Sequence, residues 1–271
     1  MMLFASIAVL ALAAAPTAPP PKPAVADAAV SGEHQPAALD RLLAAHDYAA
    51  LGARIAGVRG QADLTSDLDW LKARMLEGNS AFVTMLYSRL LWVAAEGLPD
   101  EPKSELRQTA LMASFYALAA ILVDGTRCGD RSAPGHRADQ LMMEWNPQIW
   151  PFAATLTPAQ RETIVKVAVG IETKTAPRRD AIGDVDFLCR GGMEETTYDL
   201  EHGTQKEAPA APGQLGRTIV LTGDGKYVPS QRPEAEWRKD AATARAALPA
   251  ELGQLMTALA AQTAAPPPAP R

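Results

Sequence analysis

The chain has 271 residues, 48% of them hydrophobic and 21% charged, which leaves room for one sizeable domain or two small ones at roughly 100–200 residues each. A net charge of −5 with no long basic stripe provides no electrostatic footprint for nucleic acid, so no nucleic-acid partner is expected. Aromatic residues make up only 6%, and the apolar content is mostly Ala, Leu and Val, a balance that favours helix over strand.

The first fifteen residues, Met1 to Ala15, form an apolar run. It has the length of a signal-peptide core and falls short of the roughly 20 residues a spanning helix requires. Ala11-Leu12-Ala13 fits the small-x-small cleavage rule, and Pro16 with Pro19–Pro21 severs the run from the rest of the chain. No Lys or Arg precedes it, so its positive end rests on the terminal amine alone. Residues 1–15 are therefore expected to be a signal peptide and 16–36 an Ala/Pro-rich disordered tether that includes His34. Residues 263–271 form a matching disordered Ala/Pro tail. No Cys follows the apolar run, which argues against a lipid-modified N-terminus.

Export to the periplasm or the exterior sets how Cys128 and Cys189 are read. They are the only cysteines, and an oxidising compartment favours a disulfide bond between them. Closing so long a loop would stabilise the fold by roughly 4 kcal/mol in the chain-entropy model. Neither Cys has a His two to four residues away, so no metal site is expected there.

Within the body, Leu39, Leu42 and Leu43, then Tyr48, Leu51 and Ile55, recur at helical spacing, with Asp47 placed to cap the second helix. After a break at Gly57–Gly60, Thr65-Ser66 is expected to open a helix carrying Trp70, Leu71 and Met75 and ending near Gly78. Ser80–Ala95 holds one charge, Arg89, and Ala110–Val123 holds none. Helices apolar all round belong in a core or a membrane, and fourteen residues are too few to span, so no membrane span is expected. The short link Gly97–Pro102 makes the two an antiparallel central pair. Gly125–Gly135 reads as a loop and His136–Trp145 as a helix. Thr157-Pro158-Ala159-Gln160 opens another, expected to run to about Lys174. Arg178–Pro212 loses periodicity and reads as a long loop with a linker from Glu207. Thr218–Leu221 and Lys226–Val228, around Gly223-Asp224-Gly225, read as a small β-hairpin. Helices over Pro233–Ala247 and Pro249–Ala261 finish the chain.

The chain carries no phosphate-binding glycine loop, no Gly-x-Ser-x-Gly, no His-Glu-x-x-His and no Cys-x-x-Cys-His, so no motif assigns an activity or a cofactor. The histidines, His34, His46, His136 and His202, are scattered. One cluster remains. Around Cys128 lie Arg127, Asp130, Arg131, Ser132, His136 and Arg137, and a bridge to Cys189 would bring Arg190 to them, with Arg178, Arg179 and Asp180 as further candidates. Held rigidly, such residues can supply a base and an anion clamp. Mutual pairing and helix capping around a structural bridge is the plainer reading. Trp145 and Trp150 could wall a glycan or peptide site but more often fill a gap between helices, and Trp70 and Trp92 read as core. Glu194-Glu195 reads as a solvated acidic loop.

The expected architecture is mainly α: an irregular helical domain over 37–262 with a central buried antiparallel helix pair and one small β-hairpin. The expected role is binding or structure in the cell envelope, with an envelope protein or a small anionic ligand as partner. The alternative is a small hydrolase-like enzyme using Asp130 or His136 at the Cys128–Cys189 junction. A third possibility is assembly through the apolar C-terminal helices.

Overall fold

The computed structural model describes residues 29–145, 147–208 and 218–262. The expected signal peptide, most of the expected tether, most of the Glu207–Gly213 linker and the expected tail lie outside these residues. Four helices open the fold: α1 (Pro36–Ala44), α2 (Tyr48–Ala56), α3 (Gln61–Leu76) and α4 (Ala81–Ala95). After them come α5 (Asp100–Asp124), α6 (Ser132–Asp139), α7 (Pro158–Ile182), α8 (Asp186–Cys189) and α9 (Met193–His202). Strands β1 (Thr204–Ala208) and β2 (Thr218–Thr222) precede a long α10 (Glu234–Gln262). The fold is mainly helical, as the composition implies.

The centre is the pair α4 and α5. Glu96 meets Arg107 near their connection and Ser88 meets Ser114 further in, so the helices run antiparallel. Between Ala110 and Asp124, α5 is buried on almost every side, by α4 on one flank and by α7 and α10 on another. Phe82, Met85, Leu111, Phe115, Tyr116 and Ile121 fill this core at full or nearly full burial, each contributing roughly 1.5–3 kcal/mol. The helix is longer than the apolar run alone suggests. Asp100–Arg127 is long and apolar enough to cross a membrane by length and composition, but most of its apolar window is covered by the rest of the fold.

Several boundaries differ from the sequence reading, and each difference has a tertiary cause. The fold reaches back into the expected tether: His34 is buried, its Nδ1 2.7 Å from Asp67, and Ser31 N–H donates to Asp63. Helix α3 starts at Gln61 rather than Thr65, because the Ser66 hydroxyl donates to the carbonyl of His34 and caps nothing. Helix α6 begins at Ser132 with Pro134 in its first turn, and Gln140–Trp145 forms a wider π turn. Helix α7 has the expected capping box at Thr157 and Gln160 but continues through Pro177 to Ile182. An internal Pro costs about 3 kcal/mol; here Arg179 and Arg178, directly after it, anchor the helix end to Asp124 and to the Leu76 carbonyl.

The remaining differences lie in the C-terminal third. The stretch read as a loop contains the rest of α7, then α8, α9 and β1. Strand β2 pairs with β1 upstream, Lys206 opposite Val220, and not with residues 226–228. Asp224 accepts from Lys226 N–H and Gly225 adopts φ +73°, which turns the chain away and buries Tyr227 near Tyr198. Helix α10 is continuous across Pro249, since Trp237, Ala241, Leu248, Leu252, Met256 and Leu259 form one buried stripe at helical spacing.

Candidate functional site

The Cys128–Cys189 disulfide is present, and both residues are buried. Cys128 follows a 3-10 turn (Gly125–Arg127) at the end of α5, and Cys189 ends α8. The strand-like segment 127–129 also pairs with 230–232: Gly129 N–H donates to the Ser230 carbonyl and Arg232 N–H to that of Arg127. An added Cβ at Gly129 would sit 1.9 Å from Ser230 Oγ and 3.2 Å from the Ser230 carbonyl oxygen, so any larger residue would have to displace Ser230.

Around the bridge the charges are spoken for. Asp130 Oδ1 accepts from the amide and hydroxyl of Ser132, and Oδ2 accepts from the Glu194 amide at 2.8 Å. The Ser132 hydroxyl in turn accepts from the Met193 amide. Asp130 and Ser132 thus cap α9 from across the disulfide, a helix whose own N-cap, Gly192, has no side chain to do so. Burial disfavours the Asp130 charge, but these hydrogen bonds outweigh it and hold the carboxyl below the ordinary range.

Arg127, only 4% exposed, ion-pairs with Asp180 and lies over the Trp237 ring at 4.2 Å. Arg137 donates to the Phe187 carbonyl and to Gln140 and stacks on Phe187. Arg190 is held between Asp186 and Glu195, both at 3.0 Å, while Glu195 also accepts from Gly191 N–H. Glu194 instead faces Tyr227 and Ser230, whose hydroxyls lie 3.4 and 3.3 Å away. Burial, together with Glu194, Asp130 and Glu195, pushes the Tyr227 phenol up to about 12. The two adjacent glutamates therefore serve different partners on α9, and do not form a carboxylate pair.

The structure brings most of the sequence candidates together and hydrogen-bonds them to neighbouring residues, although buried Arg127 Nε has no partner and Arg137 no ion pair among the described residues. The exceptions are Arg131, 59% exposed and 3.9 Å from Asp240, and His136, exposed and without a hydrogen bond among the described residues. Asp130 is committed to capping and His136 has no hydrogen bond among the described residues, while the exposed His46 lies 3.6 Å from Asp184 and 3.7 Å from Asp186, beyond hydrogen-bond reach. Arg178 leaves the cluster for the Leu76 carbonyl. Trp150 is buried against Phe115, Trp70 donates to Asp40, and Trp92 is sandwiched by Arg107 and Phe152; the side chain of Trp145 lies outside the described residues. Among the described residues no three His, Cys, Asp or Glu groups gather closely enough to hold a metal.

A second charged centre was not visible in the sequence. Arg179 donates to Asp124 and Glu172 at 2.6 Å each, to Thr175 at 2.5 Å and to the Tyr116 hydroxyl at 3.3 Å. Arg245 of α10 donates to the same Glu172 oxygen. Burial works against the Arg179 charge, yet Asp124, Tyr116 and Glu172 more than compensate and raise its pKa above the ordinary value. This network ties α5, α7 and α10 together.

Beyond that clamp, α7 and α10 leave a groove of about 810 Å³ between the N-terminal half of α7 and the C-terminal half of α10. Val165, Val169, Met256 and Ala260 make it apolar, with Arg161, Glu162 and Lys166 also along its α7 side. Gly253 also lines it, and a Cβ added there would meet nothing within 4 Å. The groove's size and apolar lining are those of a ligand or peptide site.

No protein-family model matches the chain, and neither a curated protein nor a solved structure matches it. Fold and site define the class by themselves: a helical protein pinned by one buried disulfide, with an internally paired junction and an open apolar groove.

Proposed function

We propose that this is an exported protein of the cell envelope that works by binding, and that the α7–α10 groove is its binding surface. The observation that carries this reading is the contrast in saturation: the groove offers uncovered apolar surface edged by Arg161, Glu162 and Lys166, whereas most of the junction charges are hydrogen-bonded or ion-paired. The groove suits an amphipathic segment of another envelope protein, its apolar face against Val169 and Ala260 and its acidic residues toward Arg161 and Lys166. Export is supported by the apolar N-terminal run and by the buried bridge, which an oxidising compartment maintains.

The test is a photoreactive residue in place of Thr257, on the groove wall, in the organism that encodes the chain. The reading expects one discrete adduct with an envelope protein, formed in the periplasmic or extracellular fraction by a chain shortened by about fifteen residues. An unshortened cytosolic chain would overturn export; no adduct in a correctly exported chain would overturn the groove.

A further inference from the structure

Strands β1 and β2 form a two-stranded ribbon, so each has one paired edge and, among the described residues, one open edge. The two open edges differ. β1 reads Thr-Gln-Lys-Glu-Ala, and its charges discourage another strand from adding there. β2 reads Thr-Ile-Val-Leu-Thr, without a charge, and its Ile219 and Val220 are 55% and 50% exposed. Strand alternation puts these two side chains on opposite faces, so both faces of β2 present apolar surface. A two-stranded ribbon with little support is marginally stable, and α9, which contacts both strands, buries none of its own residues.

The order of residues in β2 says which partner fits. From either end it reads Thr, aliphatic, Val, aliphatic, Thr. Two copies laid antiparallel about a two-fold axis at Val220 set Val220 against Val220, Ile219 against Leu221 and Thr218 against Thr222.

We propose that β2 is a self-association edge, through which two copies of this chain join their ribbons into one four-stranded antiparallel sheet. The interface is isologous, the usual geometry of a two-fold dimer. A strand of this length, about 17 Å, buries less than the roughly 1,200 Å² of a stable specific interface. The dimer is therefore weak and forms only at high protein concentration.

Sedimentation equilibrium of the exported chain, from about 5 μM to about 1 mM, is the first arm of the test, with Val220→Glu alongside. Within one ribbon the new carboxylate would oppose Lys206, a favourable cross-strand pair, but across the two-fold it would oppose its own copy. The parent should dimerise with rising concentration and Val220→Glu should stay monomeric with an unchanged melting temperature. A parent monomeric throughout, or a Val220→Glu chain that dimerises as the parent does, overturns the proposal.

The second arm is oxidative cross-linking at millimolar concentration. Directly opposed Cα atoms in an antiparallel pair lie about 4.5–5.5 Å apart, within disulfide reach, so Val220→Cys should form a covalent dimer. Ile219→Cys, which faces Leu221 of the other copy, should not. Equal cross-linking by both variants, or by neither, overturns the register and with it the two-fold pairing.

Discussion

Helices α7 and α10 lie together along two stretches of opposite character. At one, Glu172 sits fully buried between Arg179 and Arg245 and charge is matched to charge. At the other, the helices part around an apolar groove. Where buried charges are matched to one another, little is left to offer a ligand even though Glu172 Oε2 and Arg245 Nη2 lack a hydrogen-bond partner among the described residues, and removing one member leaves a buried charge uncompensated. Where apolar surface stays in water, burying it is free energy still available for association. The Cys128–Cys189 junction resembles the first stretch, although its residue types look like a catalytic inventory. Residue type suggests chemistry; the count of unsatisfied partners decides whether any chemistry is left to do.

The largest effect expected is at the clamp. Arg179→Ala leaves Asp124 and Glu172 buried without their main counter-charge and should cost about 3–5 kcal/mol, much of a stability of roughly 5–15 kcal/mol. Urea unfolding measures it. A loss under about 1 kcal/mol would mean the network is solvated and the comparison fails.

Next comes the bridge. Neither thiol should alkylate under non-reducing denaturing conditions. Replacing both Cys128 and Cys189 by Ser should cost about 2–4 kcal/mol, with the far-ultraviolet helical signal retained because the α4–α5 core does not depend on it. Free thiols in freshly isolated native protein would contradict the pairing.

Asp130 sharpens the comparison through pH. Its carboxyl titrates below the ordinary range in the folded protein, so its contribution is complete above an ordinary Asp pKa of about 4 and is lost as pH falls through the folded value. Asp130→Ala should cost about 1–2 kcal/mol at neutral pH. By about pH 3 the gap between parent and variant should have narrowed. A pH-independent gap would show that the loss comes from packing and not from the carboxylate.

What the sequence made legible follows locality. The α4–α5 pair could be read because its apolar runs and its Pro-marked link are contiguous, and the Thr157 capping box because all its members lie within one turn. Helix α9 could not, since Asp130 and Ser132 cap it from across the disulfide. The passage of α7 through Pro177 depends on anchors in α3 and α5. The continuity of α10 was within reach: the stripe from Trp237 to Leu259 crosses Pro249 in phase, a stronger signal than the proline. At the junction, sequence assembled the right residues but had no means of showing that they are already paired.

The smallest expected effect on stability carries the most information about function. Gly253→Phe places a ring in the groove where an added Cβ meets nothing, and replaces a mid-helix glycine, so stability should hold or rise by up to about 1 kcal/mol. The decisive measurement is the yield of the Thr257 photo-adduct in Gly253→Phe compared with Arg190→Ala. Binding through the groove predicts that Gly253→Phe abolishes the adduct while Arg190→Ala, though less stable, retains it wherever it folds. An adduct that survives Gly253→Phe and disappears in folded Arg190→Ala would contradict the account and move the functional surface to the disulfide junction.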